Sequence, residues 1–241
     1  MGQGRSPRLL ARREALALLA RGGVGVVLAC GNAPASPECA LAAIGAAGPT
    51  WRELALQRSD LRWNSHEVGE EPRPGVHLIL TLKLVTQSTD GCRPLRGARV
   101  DVWHCDAQGV YSGSETAGTA GEDYLRGYQI SDEWGRVSFV TVYPGWYTGR
   151  AVHVHAKVRL WDPYGEVRTD VSTQLFFDDA ISDAVFATPA YGGRPMRDTR
   201  NATDSIYRAG TSPLVSLGGS IEAGLEGSAE VAVQVGQIRR S

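Results

Sequence analysis

The sequence lacks a Cys-x-x-Cys pair, and its four cysteines (Cys30, Cys39, Cys92 and Cys105) stand singly along the chain. That spacing argues against a cysteine-based structural zinc site and against thioredoxin chemistry. An excess of basic charge is missing too. The formal net charge is −1, with charged residues at 21%, so no cationic surface points to nucleic acid. Beyond the N-terminus no apolar run reaches the ~18 residues of a membrane-spanning helix. Internal repeats are absent, as are amphipathic helices between the apolar-alternating segments, which argues against an α/β fold.

Turn formers are plentiful. The 241 residues hold 29 glycines and 12 prolines, and 42% of them are hydrophobic, a composition suited to many turns around a real core. Val76, Leu78, Leu80, Leu82 and Leu84 alternate with His77, Thr81 and Lys83, a period of two that predicts a long half-buried strand. Asp90-Gly91 and Pro94 mark a turn. Further strands are expected over 98–105, 125–131, 137–143, 152–161, 172–177 and 229–235. A Gly/Ser/Thr-rich loop covers 112–122, and 178–213 reads as a long surface excursion with short helical pieces. The expected architecture is an all-β, antiparallel β-sandwich with long loops and few short helices, spanning 76–241. Residues 36–75, broken by Pro37, Pro49, Pro72 and Pro74, are expected to form an extended segment packed on that domain.

Residues 1–35 are expected to be an export signal of twin-arginine type. Arg12-Arg13 precedes a modest apolar stretch, and Ala33-Pro34-Ala35 offers a cleavage site. Arg21 interrupts the stretch, and Cys30 raises the option of a lipid-bearing cysteine. The alternative is a frayed N-terminal helix of a cytoplasmic protein. For the cysteines, Cys39 with Cys92 is the expected pair, because both lie in loop-like sequence; the alternative is that all remain reduced.

His153-Val154-His155 carries the first chemical signal. On a strand, residues two apart share a face, so the two imidazoles stand side by side, opposite Val152, Val154, Ala156, Val158 and Leu160. Imidazole binds zinc, copper, iron and nickel alike. The competing reading is a surface pair on a face shared with Lys157 and Arg159. Tyr147 lies in an aromatic-rich loop running into the histidines, and Tyr111 sits in a loop just past a strand. Either tyrosine could be ordinary packing. A phenolate, though, is a hard anionic donor, and a trivalent cation can hold a phenol of ordinary pKa ~10 deprotonated at neutral pH.

The ordered pieces from Pro94-Leu95-Arg96-Gly97 through Val102-Trp103-His104-Cys105-Asp106, Gly109-Val110-Tyr111-Ser112, Leu125-Arg126-Gly127, Asp132-Glu133-Trp134-Gly135 and Tyr143-Pro144-Gly145-Trp146-Tyr147 to His153-Val154-His155 resemble the intradiol ring-cleavage dioxygenases. They are most similar to the small bacterial branch akin to protocatechuate 3,4-dioxygenase. A weaker likeness continues through Thr173-Gln174-Leu175. The resemblance implies Fe(III) held by Tyr111, Tyr147, His153 and His155, acting as Lewis acid and template. It also implies a catechol-type substrate cleaved between its hydroxyls by O2 to a muconate-type diacid. Arg150 matches an arginine that stabilises negative charge on the ring, and Gln174 a glutamine near the iron. Trp146 and His104 are expected to serve packing rather than chemistry. Where the family branch carries Gly-Pro-Tyr, this chain reads Gly48-Pro49-Thr50. An insertion and a helical dimerisation domain found in catechol-specific members are lacking. Two other readings stay open: a non-catalytic β-sandwich binding module and a His-x-His zinc enzyme. The identity of the catechol and the oligomeric state are open at this level.

Overall fold

The alternating leucines near the start of the domain form β1 (His77–Ser88), in which Leu78, Leu80, Leu82 and Leu84 are fully buried. The computed structural model describes residues 40–45, 47–67, 71–89 and 91–238; the expected signal over 1–35 lies outside them. β1 is the spine of one sheet. One side pairs with β9 (Gly224–Val233), which in turn pairs with β8 (Ser216–Ser220); the other side pairs with β5 (Arg136–Val142) and with β2 (Gly91–Pro94). The second sheet runs β4 (Arg126–Ile130), β3 (Arg99–Trp103), β6 (His153–Trp161), β7 (Val167–Phe176), antiparallel throughout. The two inner faces share one apolar core, with Leu80, Phe139 and Val231 from the first sheet and Val102, Val154 and Leu175 from the second.

The all-β sandwich is thus present, with one correction to its antiparallel description: β1 and β9 run parallel, so the first sheet is mixed. More than a hundred residues separate the two strands, and a connection that long can bring a strand back in either direction. Two strands escape sequence reading. β2 is four residues inside the expected turn, and β8 is Ser-Leu-Gly-Gly-Ser; neither has apolar alternation. β7 also begins five residues earlier than expected, over Val167-Arg168-Thr169-Asp170-Val171, of which Val167 and Arg168 are exposed and Thr169 and Val171 buried. The excursion at 178–213 holds one helix, α1 (Asp179–Phe186), and two short 3-10 turns. Asp178 caps α1 by accepting from the Ala180 and Ile181 amides. Buried Arg197 pairs with Asp179 and Asp183 and pins the far end of the excursion back onto α1.

On β6 the inward side carries Val154, Ala156 and Val158 and the outward side His153, His155, Lys157 and Arg159, as period two requires. The outward side is not a surface. His153 and His155 are 2% and 3% exposed, which removes the surface-pair reading. The cover comes from the segment before the sandwich. Gly45 bridges to Ser172 and Gln57 to Tyr128, and Trp51 packs on Trp103 at 4.8 Å with Lys157 and Arg159 over its ring. Glu53 closes the charge balance by accepting from Arg159 at 2.6 Å.

Cys92 is disulfide-bonded, which sets aside the fully reduced alternative. Its expected partner, Cys39, lies outside the described residues, as does Cys30. Among the described residues Cys105 is free and buried. Leu80→Ala, at a fully buried site opposite Phe139, is expected to cost about 2–5 kcal/mol through lost transfer energy and a residual cavity. Urea denaturation of the two proteins measures it; a loss under ~1 kcal/mol would mean that the core collapses freely into the space.

Candidate metal centre

Two loops bring the phenols together, and two glycines let them touch. The first loop (104–112) follows β3. Asp106 Oδ1 accepts from the amides of Gln108 and Val110, both at 2.9 Å, and this turn presents Tyr111. The second loop (143–152) carries Tyr147 into β6. A Cβ on Gly145 would lie 2.4 Å from the Asp106 carbonyl oxygen, and one on Gly109, at φ +78°, 2.1 Å from the Trp146 carbonyl oxygen. Any side chain at either position would push the loops apart. The far side of Tyr111 is fixed by Arg126, which donates to Ser112 Oγ at 2.8 Å and to the Ser112 carbonyl at 2.7 Å.

Strand β6 then delivers the imidazoles. His153 Nδ1 lies 2.7 Å from the Ala151 carbonyl oxygen, so Nδ1 carries the proton and Nε2 presents its lone pair. That Nε2 is 3.2 Å from Tyr147 Oη and 3.2 Å from His155 Nε2. The His155 ring is held by Trp103, stacked on it at 4.7 Å with 7° between the planes, and the Trp103 indole donates to Thr50 Oγ1. Tyr111 stands edge-on to Tyr147 at 5.6 Å and to His155 at 6.1 Å between ring centroids. Its hydroxyl is buried and has no hydrogen-bond partner among the described residues. The two phenols influence each other's ionisation, yet no well-formed hydrogen bond joins them. All four side chains named from the sequence therefore converge on one spot.

Electrostatics there favour neutral donors. Burial, reinforced by the Arg150 charge, lowers the His153 imidazole to about 4. Burial, with His153 and Arg150 adjacent, pushes His155 well below its ordinary value. Burial pushes Tyr111 well above the usual phenol range, helped by Cys105 and Tyr147, and raises Tyr147 as well. Both imidazoles thus offer lone pairs at neutral pH, while neither phenol ionises without a cation beside it. Among the described residues no three His, Cys, Asp or Glu side chains group as metal ligands. A metal at this spot needs the phenol oxygens. Two lone-pair nitrogens and two hard oxygen donors, one of them the orphaned buried hydroxyl of Tyr111, are a donor set that fits a hard, highly charged ion.

Arg150 and Gln174 meet beside this cluster, with the Arg150 guanidinium donating to Gln174 Oε1. The residue that anchors Arg150 was not legible in the sequence. Asp204, fully buried at the side chain, accepts from Arg150 Nε at 2.9 Å and from the amides of Ala151, Ile206 and Tyr207. Burial alone would raise its carboxyl, but the Ala151 amide and the Arg150 charge outweigh burial and hold it below the ordinary carboxylate value. It lies 54 residues from Arg150, in polar sequence with no periodicity to single it out. Trp103 was missed for a related reason: its place against His155 depends on the β3–β6 register. His104 is buried in packing, with Nε2 2.7 Å from Thr141 Oγ1, and Trp146 lies in the core with Arg194 4.4 Å over its ring.

A cavity of about 460 Å³ opens onto the cluster. Tyr147, His155, Arg150 and Gln174 form one wall and the turn Gly48-Pro49-Thr50 another. The stretch that departs from Gly-Pro-Tyr thus lines the site.

A family model described as dioxygenase matches residues 46–189. Two solved dioxygenase structures, one of them an intradiol ring-cleavage dioxygenase from Tetranychus urticae, are each 28% identical to the chain. Each aligns over 84% of this chain and 98% of its own, with TM-scores of 0.68 and 0.66. The dioxygenase domain of a dioxygenase–carbohydrate-binding fusion from Streptomyces sp. SirexAA-E is 25% identical over 81% of this chain and 99% of that domain, with a TM-score of 0.56. Among curated proteins no sequence matches. The matched segment holds both tyrosine loops and both histidines, so the cluster and the fold point one way: the chain belongs to the intradiol ring-cleavage dioxygenase family.

Proposed function

We propose that Tyr111, Tyr147, His153 and His155 hold a ferric ion and that the protein cleaves a catechol-type ring between its two hydroxyls with O2, yielding a muconate-type diacid. The observation that carries this reading is the convergence of two phenols and two neutral imidazoles at the wall of a cavity. When bound, the ion supplies Lewis acidity and a template for the two ring oxygens. The chain supplies the rest. The Ala151 carbonyl fixes the His153 tautomer and Trp103 fixes the plane of His155. Tyr147 Oη, on the cavity wall, is in its ionised form a base for a catechol hydroxyl. Arg150 places a fixed positive charge beside the ring, where negative charge builds up, and Gln174 and Asp204 keep it from swinging away.

A zinc enzyme would leave Tyr111 and Tyr147 without a role, and the described residues give it no third His, Cys, Asp or Glu. A non-catalytic sandwich has no use for an orphaned phenol. Export guided by residues 1–35 belongs to the same proposal. Arg12-Arg13 supports it, as does the disulfide at Cys92, a bond typical of oxidising compartments. No helix among the described residues is long and apolar enough to cross a membrane.

The test is colour and oxygen. Iron-loaded protein is expected to be burgundy from phenolate-to-iron charge transfer and to consume O2 with catechols, giving ring-opened diacids by mass spectrometry. Tyr147→Phe is expected to bleach most of the visible band while the far-ultraviolet circular dichroism stays that of a β-sandwich. Colourless iron-replete protein, or an unchanged band in the variant, would falsify the ligand set.

A further inference from the structure

The cavity at the cluster has a neighbour. A second basin of about 490 Å³ lies on the other side of Tyr147, lined by Tyr111, Arg126, Arg52 and the hydroxyl-rich loop 112–117. Pro49, Thr50 and Tyr147 line both basins, so the two share these residues as a common wall. A pocket for a drug-sized ligand measures roughly 300–1,000 Å³, and each basin alone reaches that range. One six-membered ring leaves most of this space to water.

The charges in the second basin are unevenly satisfied. Arg126 donates to the Thr50 carbonyl at 2.8 Å and to Ser112 twice. Among the described residues Arg52 donates only to the carbonyls of Ala120 and Glu122, each at 3.4 Å, the edge of hydrogen-bond range. Its guanidinium lies directly over Gly113, where a Cβ would meet Nη1 at 1.9 Å, so a glycine makes room for it. The Arg52 charge also bears on Arg126, adding to the burial that lowers Arg126 to about 10. Among the described residues Glu115 is the one acid on the basin wall. Two guanidiniums that repel each other, one of them weakly held, are a place where a carboxylate gains charge-assisted hydrogen bonds.

We infer that this second basin is a subsite for an anionic side chain, and that the preferred substrate is a catechol whose side chain carries a carboxylate beyond the ring, read by Arg52. The inference rests on the ring-cleavage reading for the catechol half; the subsite deepens that reading by naming what the ring carries. The ring occupies the basin of Tyr147, His155 and Arg150, and the tail passes Pro49-Thr50 towards Arg52.

Steady-state oxygen uptake by the iron-loaded, full-length protein tests it with three probes: unsubstituted catechol, caffeate (a catechol with a propenoate tail) and methyl caffeate. The expected result is a kcat/KM about tenfold higher for caffeate than for its ester, as one charged hydrogen bond supplies, carried mainly in KM. Arg52→Ala is expected to bring that acid-to-ester ratio close to one, and Arg52→Lys to restore part of it. Turnover of catechol with an acid-to-ester ratio near one in the unmodified protein overturns the subsite. So does a high ratio that survives Arg52→Ala. Failure of all three probes, catechol included, strikes the ring-cleavage reading itself, and the subsite falls with it. Should Arg52→Ala not fold, Arg52→Gln keeps the stem and removes the charge, and the same ratio decides.

Discussion

His155→Ala is expected to lose most of its iron. The imidazole is one of four proposed protein donors, buried, stacked on Trp103 and aimed at His153 Nε2 across 3.2 Å. Loss of an outer partner of a metal ligand already weakens binding by roughly 10–100-fold, so loss of the ligand itself is expected to exceed about 100-fold. Metal analysis after dialysis against a chelator reads the effect, with Tyr147 and Tyr111 left to report residual iron by colour. The fold should survive, because the inward side of β6, with Val154 and Ala156, is untouched. Iron content equal to that of the unmodified protein after the same dialysis contradicts the ligand assignment.

Arg150→Ala is expected to lower kcat/KM by about 100-fold or more, the loss typical of removing one preorganised charge from a dry site. Two consequences should separate in measurement. The catalytic loss comes from the missing positive charge beside the ring. A stability loss of about 1–3 kcal/mol comes from Asp204, whose buried carboxylate forfeits one donor. It is not larger because the amides of Ala151, Ile206 and Tyr207 still bind that carboxylate, at 2.8, 2.7 and 3.0 Å. Arg150→Lys restores the charge but not the fork that spans Asp204 and Gln174, so it should recover activity only in part. Activity within about threefold of normal in Arg150→Ala would leave this residue a purely structural tie.

Why some of this was readable from sequence and some was not follows from the range of each signal. Alternation in β1 and β6 is a local steric pattern, so Leu78 to Leu84 and the His153/His155 pair could be assigned to faces directly. That the histidine face is closed could not. Its cover is Trp51 and Glu53, about a hundred residues upstream, and nothing local to β6 distinguishes a covered polar face from a wet one. The tyrosines were legible only through the resemblance, because a loop phenol carries no periodicity. Gly109 and Gly145 were a usable hint, since each glycine stands close to a tyrosine and marks a tight contact between loops. β8 was hidden by its glycines, and Asp204 by distance along the chain.

The stretch from Gly48 to Glu53 is not part of either sheet, yet it furnishes a rim common to both basins. It is held there by the Trp103 indole on Thr50 Oγ1, the Arg126 guanidinium on the Thr50 carbonyl and Arg159 on Glu53. The make-up of this rim is therefore partly separable from the proposed metal site. Pro49 and Arg52 make none of these three ties, so they can be exchanged for a relative's residues while the ties that hold Trp103, Arg126 and Arg159 remain. Such an exchange is a way to retune which ligands are accepted without rebuilding the proposed metal site.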